Sequence, residues 1–264
     1  MGRPIRHGYM QKLVELECAA KRKSLVVPPV GGTPRDDLKY EILEVGSWAG
    51  GSTVTFAEAI AKYNNRKGKV VAVDAWRNFH GADHIEKKSH RVMEQALSRG
   101  TIFSLFLHNI KSAGYDDVVV PVRGWSSAVL PLVRDARFDL IFVDGSHFYR
   151  DVLNDLQEGA RILKDGGILC GDDLELQAHE VDRTHAESHR DNDSLKDPKT
   201  KTSFHPGVTL AVGEFCGEVS SWKGFWAMLK IRSSDASVGA RYAWEKISYE
   251  DLDKGNVIIP KHLA

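Results

Sequence analysis

The stretch Leu43–Thr53, LEVGSWAGGST, decides the fold. An apolar run, Tyr40–Val45, ends in a turn carrying Gly46, Gly50 and Gly51, and a helix-period segment, STVTFAEAIAKY, follows at once. Glycines at a strand-to-helix turn let the backbone approach a ligand, while the free amides of the helix N-terminus face it. The spacing is GxxxGG rather than the GxGxxG of dehydrogenases, and an acid, Glu44, precedes the first glycine. The next apolar run, Lys69–Asp74, ends in an aspartate, where a carboxylate can take both hydroxyls of a ribose bound across the switch point. A plain tight turn would account for the glycines alone. Strand, glycine turn, helix, strand and acid together favour an adenosine-containing cofactor.

Outward from this unit, the runs Asp117–Val122, Phe138–Asp144 and Gly166–Asp172 read as further strands. They alternate with helical segments such as RDVLNDLQEGARIL, where Val152, Leu153, Leu156, Ala160 and Leu163 recur at three- and four-residue steps. That alternation predicts an α/β fold with a Rossmann-like, doubly wound and mostly parallel sheet. HPGVTLAVGEFCGEV reads as a helix, and Gly224–Ile231 as a strand preceded by a short one near Val219–Trp222, giving seven strands with the last antiparallel. The main domain is expected over residues 40–231. Residues 1–39 offer one helix, about Met10–Lys23, and a Pro/Gly-punctuated loop; residues 232–264 form a C-terminal extension. Residues 175–204 are strongly polar, with almost no apolar periodicity, and are expected to be a mobile lid.

The 264 residues carry 36 basic and 36 acidic side chains, so no bulk charge draws the protein to nucleic acid or to an anionic membrane. A small-molecule partner is expected, and a homo-oligomer is left open. Cys18, Cys170 and Cys216 are widely spaced without a CxxC pair, which argues against a disulfide framework or a structural zinc site and fits the cytoplasm. No segment reaches the roughly 18 apolar residues of a membrane span.

EVGSWAGGS resembles motif I of class I S-adenosylmethionine-dependent methyltransferases, and VAVDAW resembles the acidic strand end that follows it. VRGWSSAVLPLV, Val122–Val133, is similar to the segment of small-molecule O-methyltransferases whose glycine and serine lie beside the adenine. FDLIFVDGSHFY and LKDGGILCGDD resemble the fourth and fifth strands of the metal-dependent catechol and caffeoyl-CoA type enzymes, a layout shared by the macrolide and aminocoumarin sugar O-methyltransferases. The resemblance covers about Tyr40–Asp173. It implies S-adenosylmethionine as cofactor, bound by Glu44, Gly46, Ser47, Trp48, Gly50, Ser52, Asp74, Gly124, Trp125, Ser126 and Asp144.

Asp144, Asp172 and Asp173 end neighbouring strands, and three converging carboxylates would repel one another. A divalent cation, Mg²⁺ in the first place, would resolve that. The catechol-type enzymes hold Asp, Asp and Asn at these positions; Asp173 matches the acidic pair of the sugar enzymes. The bland alternative makes Asp173 a helix cap and Asp172 a turn residue. His147 stands three residues after Asp144, where the catechol-type enzymes place the lysine that takes the hydroxyl proton. An imidazole with a pKa of about 6.5 can accept that proton; a helix cap or an additional metal ligand are the alternatives. The pairs His80/His84 and His185/His189 have zinc-chelating i, i+4 spacing but no third ligand in sequence, and read as solvated loops. The expected function is metal-assisted O-methylation of a small-molecule hydroxyl on a sugar, another vicinal diol or a catechol. The alternatives are a metal-independent methyltransferase and a cofactor-binding protein with an assembly or hydroxylase-associated role.

Overall fold

The computed structural model describes residues 4–25, 38–78, 88–232, 242–255, 257, 258 and 260. Helix α1 (Pro4–Leu25) leads into β1 (Tyr40–Val45), α2 (Gly51–Tyr63) and β2 (Gly68–Asp74). Helices α3 (Lys88–Ser98) and α4 (Thr101–Ser112) precede β3 (Val119–Arg123), and a short α5 (Ser126–Val129) leads to β4 (Phe138–Val143). Helix α6 (Tyr149–Ile162) and β5 (Leu163–Gly171) complete the parallel part. Then come α7 (Arg183–Ser188), β6 (Leu195–Lys196), β7 (Ser203–Phe204), α8 (Pro206–Cys216), β8 (Ser220–Trp222), β9 (Phe225–Arg232), β10 (Tyr242–Lys246) and α9 (Glu250–Asp253).

The main sheet runs β10-β9-β5-β4-β1-β2-β3, parallel from β3 to β5 and antiparallel at β9 and β10. Every residue of β1 and of β4 is buried, as strands covered on both faces must be. Pro121 sits in β3, an edge strand where a missing N–H costs no ladder bond. Alternation sorts the side chains into two cores. Ile42, Leu140, Phe142 and Ile168 pack with Phe56 and Ile60 of α2 and with Met10, Leu13 and Val14 of α1. Leu43, Ile141, Val143 and Leu169 pack with Val152 and Leu156 of α6 and Val208 and Val212 of α8. The doubly wound α/β fold read from the sequence is therefore the fold observed.

Two details go beyond that reading. The outer edge of β9 is shared by β8, against Phe225–Ala227, and by β10, against Met228–Arg232, so the sheet has eight strands rather than seven. β10 comes from residues 232–264 and α1 from residues 1–39; both flanks join the core of the central domain. The polar segment 175–204 holds a regular fold instead of an irregular one. Leu176, Val181, Ala186, Phe204 and Leu210 form a third small core. The fully buried Asp197 accepts the amides of Asp182 and Thr200, and Asp182 caps α7. Its apolar residues come from several short pieces, which hides any period, and buried carboxylate bonds to backbone replace missing apolar area. Among the described residues no helix is long and apolar enough to cross a membrane.

Candidate active site

The carboxyl ends of β1, β2, β4 and β5 lie side by side and carry nearly all the residues singled out above. Gly46 has φ +87°, and a Cβ there would lie 2.0 Å from the carbonyl oxygen of Asp144. Only glycine lets the β1 turn pass so close to the end of β4. Asp74 organises that turn. Its Oδ2 accepts the amides of Ser47 (3.0 Å) and Trp48 (2.9 Å), and its Oδ1 accepts the amide of Trp76 (2.6 Å). The carboxylate expected to meet a ribose thus first holds three backbone donors. Trp48 and Trp76 have φ of 44° and 43°, a costly region for bulky side chains, and the Trp76 indole donates to the Trp48 carbonyl at 2.7 Å. Strain that survives in this way is over-determined by its surroundings and clusters at ligand sites.

Glu44 is fully buried under the turn. It accepts hydrogen bonds from the hydroxyls of Ser47 (2.7 Å) and Thr53, and its Oε1 has no partner. Burial pushes its carboxyl up to about 7 despite those bonds and the one from Ser52. Gly50 occupies the N-cap of α2. The amide of Gly124 donates to the Asp74 carbonyl at 2.9 Å, which brings Gly124, Trp125 and Ser126 to the same edge. Trp125 is 46% exposed there, and the Ser126 hydroxyl bonds Asp155, a buried carboxyl whose Oδ1 lacks a partner and whose pKa burial raises to about 7. Asp155 gave no sequence signal beyond its place on the buried face of α6.

On the other side, Asp144, His147, Asp172, Asp173, Val208 and Trp226 line one pocket. Burial, with Asp172 and Asp173 adding repulsion, raises the Asp144 carboxyl well above its usual range. Asp172 is raised to about 6 by burial and by Asp173, against the pull of Arg6. Arg6 is the counter-charge that sequence reasoning missed. Its guanidinium, 4% exposed, lies 2.6 Å from Asp172, 2.9 Å from Asp173 and 2.8 Å from Glu175, and its Nε donates to the Lys223 carbonyl at 2.7 Å. It sits on α1, in a segment with no motif. The acids therefore have a resident cation, yet burial and mutual repulsion still hold the Asp144 and Asp172 carboxyls above their usual range beside it.

His147 is held between two carboxylates. Its Nδ1 lies 2.7 Å from Asp193 and its Nε2 lies 3.0 Å from Asp173. Burial works against a charged ring, but bonds to the two carboxylates outweigh it and raise the pKa to about 10. The two carboxylates therefore favour the charged ring, whereas the reading from sequence started from an unperturbed imidazole. The same contacts, with His205 and Arg6, hold Asp173 well below the usual carboxylate range although burial opposes this. His205 caps α8 and bonds Glu175 at 3.0 Å. Asp193 comes from the 175–204 segment. The one cue to His205 was its place before Pro206 at a helix start; nothing marked Asp193. The rings of His185 and His189 lie 4.4 Å apart, tilted by 40°, and among the described residues they belong to no group of three metal donors. His80 and His84 lie outside the described residues.

A methyltransferase-domain family matches residues 43–174, which is 132 of the 264 residues. The uncharacterized protein y4gI of Sinorhizobium fredii is 28% identical over 139 residues, 52% of this chain and 13% of that protein, so the chain spans a small fraction of the relative's length. The structure of the O-methyltransferase NovP superposes with a TM-score of 0.53 at 15% identity, covering 84% of this chain and 79% of that one. An O-methyltransferase from Bacillus cereus, solved with S-adenosylhomocysteine, gives 0.48 at 17% identity, with 86% and 80% covered.

Proposed function

We propose that the chain, which belongs to this methyltransferase-domain family, is an S-adenosylmethionine-dependent methyltransferase that methylates a hydroxyl oxygen of a small molecule with the help of a divalent cation. The observation that carries the reading is the pocket lined by Asp144, Asp172 and Asp173, where burial and mutual repulsion raise the Asp144 and Asp172 carboxyls and a cationic, oxygen-bearing ligand would relieve that repulsion. Asp144, Asp172 and Asp173 are the acids that would stand beside the cation, which would lower the pKa of a hydroxyl bound to it. A vicinal diol or a catechol offers two oxygens in one chelate, and the polar 175–204 segment, whose Asp193 bonds His147 of the pocket, favours a saccharide. Cofactor contacts fall to Glu44, Gly46, Ser47, Trp48, Gly50, Ser52, Asp74, Gly124, Trp125 and Ser126. The methyl transfer is an in-line displacement, so the protein's work is to align the two reactants and keep the oxygen deprotonated. His147 could accept the hydroxyl proton only as a neutral ring, its own Nε2 proton first passing to Asp173 or to solvent.

Arg6 supports a second reading, a methyltransferase that uses its guanidinium in place of a metal. Transfer of labelled methyl from S-adenosylmethionine to a panel of nucleotide sugars, catechols and their monodeoxy analogues separates the two. Loss of transfer in chelator and its return with added divalent cation support metal assistance; transfer that ignores chelator favours Arg6. No transfer to any hydroxyl in the panel, with the cofactor bound, would remove O-methylation.

A further inference from the structure

Three donors from separate segments converge at the acid edge: His147 from the loop after β4, Asp173 from the loop after β5, and His205 at the start of α8. Among the described residues they are the set of three whose ligand atoms all lie within 4.8 Å of one another. The two imidazole rings are 4.5 Å apart and tilted by 57°. Behind each ring stands a carboxylate. Asp193 Oδ1 is 2.7 Å from Nδ1 of His147, and Glu175 Oε2 is 3.0 Å from Nδ1 of His205. With the Nδ1 proton on the side of that carboxylate, each ring offers Nε2 as its ligand atom once neutral; that of His147 lies 3.0 Å from Asp173 Oδ2, and a bound cation would take the place of its proton. Metal-binding histidines nearly always donate their other N–H to a carboxylate, a carbonyl or a water, which fixes tautomer and orientation. Both histidines here have that support.

The backbone holds the set in place. Asp173 takes φ +61°, and its other oxygen is clamped by Arg6 at 2.9 Å, leaving Oδ2 for the histidine side. Gly207, two residues after His205, passes so close to the His147 loop that a Cβ would lie 2.2 Å from the His147 carbonyl oxygen and 2.5 Å from the Tyr149 amide. A larger residue would push the start of α8, and His205 with it, away from His147. His147 and Asp173 also line the pocket that contains Asp144 and Asp172.

We propose that His147, Asp173 and His205 form a binding site for a first-row transition dication such as zinc, manganese, iron(II) or cobalt. Two imidazoles and one carboxylate suit these ions, whereas magnesium favours oxygen donors and retained water. The site stands on this geometry alone; only the use of the cation to activate the acceptor rests on the function proposed above.

The test uses the full chain, stripped with chelator and free of cofactor and acceptor. Co²⁺ is titrated with visible absorption as the readout, then Zn²⁺ by competition and Mg²⁺ as contrast. Co²⁺ and Zn²⁺ should occupy a single site far more tightly than Mg²⁺. His205→Gln and Asp173→Asn should weaken binding by more than about 100-fold, and Asp193→Asn or Glu175→Gln by about 10- to 100-fold. Circular dichroism checks that each variant is folded. If His205→Gln unfolds, Asp193→Asn, which is on the partly exposed side, carries the same test. Binding no tighter than for Mg²⁺, or affinity untouched by these substitutions, overturns the site. Tight Co²⁺ binding without methyl transfer to any hydroxyl leaves the site standing and removes the proposed function. Cation-dependent transfer with unchanged metal affinity in His205→Gln does the reverse.

Discussion

At the glycine turn the contacts are local in sequence: Asp74 gathers the backbone amides of Ser47, Trp48 and Trp76, and Glu44 gathers the hydroxyls of Ser47 and Thr53, all within one strand-turn-helix-strand unit. At the acid edge the contacts are made by side chains from five distant segments, and Arg6 reaches Asp173 across 167 positions of sequence. The two regions share one end of one sheet yet are specified differently. A backbone site needs particular glycines and acids at fixed spacing, so it leaves a motif. A side-chain site needs only that the topology deliver the right residues, and its members can sit in segments with no pattern of their own.

The largest expected effect tests how far the acid edge depends on its remote member. Arg6→Ala leaves Asp172, Asp173 and Glu175 without their guanidinium and should cost about 3 to 5 kcal/mol of stability, measured by denaturant unfolding. Arg6→Lys should recover only part, because one ammonium cannot fork to several carboxylates. A loss under about 1 kcal/mol would mean that another cation balances the acids, and the contrast between a local and a long-range site would lose its main support.

That contrast also marks what could be read from the sequence. The periods of β1 to β5 and α6, the GxxxGG turn and Asp74 are local, and each is where it was expected. Asp144, His147, Asp172 and Asp173 were legible because strand ends in a parallel sheet fall at one edge. Arg6, Glu175, Asp193 and His205 were not legible. Their meeting depends on α1 packing against α2, on the fold of 175–204 and on the close pass of Gly207, none of which has a periodic signature. The surroundings of His147 have the same origin: its offset from Asp144 is local, while its ring is held by Asp173 and by Asp193, which is 46 residues away.

Gly46 joins the two regions, since it lets the cofactor turn rest on the Asp144 carbonyl. Gly46→Ala meets both a left-handed φ and a backbone clash, and should destabilise the fold by about 2 to 4 kcal/mol. If it weakens only cofactor binding and leaves unfolding unchanged, the regions are less tightly joined than the close approach implies.

Asp74→Ala sharpens the comparison from the other side. Losing three amide bonds should lower S-adenosylmethionine affinity by about 1.5 to 3 kcal/mol in calorimetry. Co²⁺ binding at the acid edge should stay as in the parent protein, because Asp74 touches none of its members. Unchanged cofactor affinity would remove Asp74 from the site.

The smallest effect concerns Glu44, whose carboxyl is buried beneath the turn and raised from an ordinary 4.5 to about 7. Between those values the folded protein keeps a proton that the unfolded chain has lost, so this group stabilises fully below about 4.5 and its contribution is lost as the pH rises to about 7. The slope from one such group is at most about 1.4 kcal/mol per pH unit, and Asp155, also raised to about 7, adds its own share in the same direction. Glu44→Gln keeps an acceptor for the Ser47 and Thr53 hydroxyls and cannot ionise. Near pH 7 it should differ from the parent by only about 1 kcal/mol, the scale of one hydrogen bond, while its stability falls less steeply between pH 4.5 and 7. Denaturant unfolding at several pH values reads both quantities. Equal slopes in the two proteins would mean that Glu44 is already ionised in the folded state, held by the hydroxyls of Ser47, Ser52 and Thr53, and that the turn carries a buried negative charge toward the cofactor.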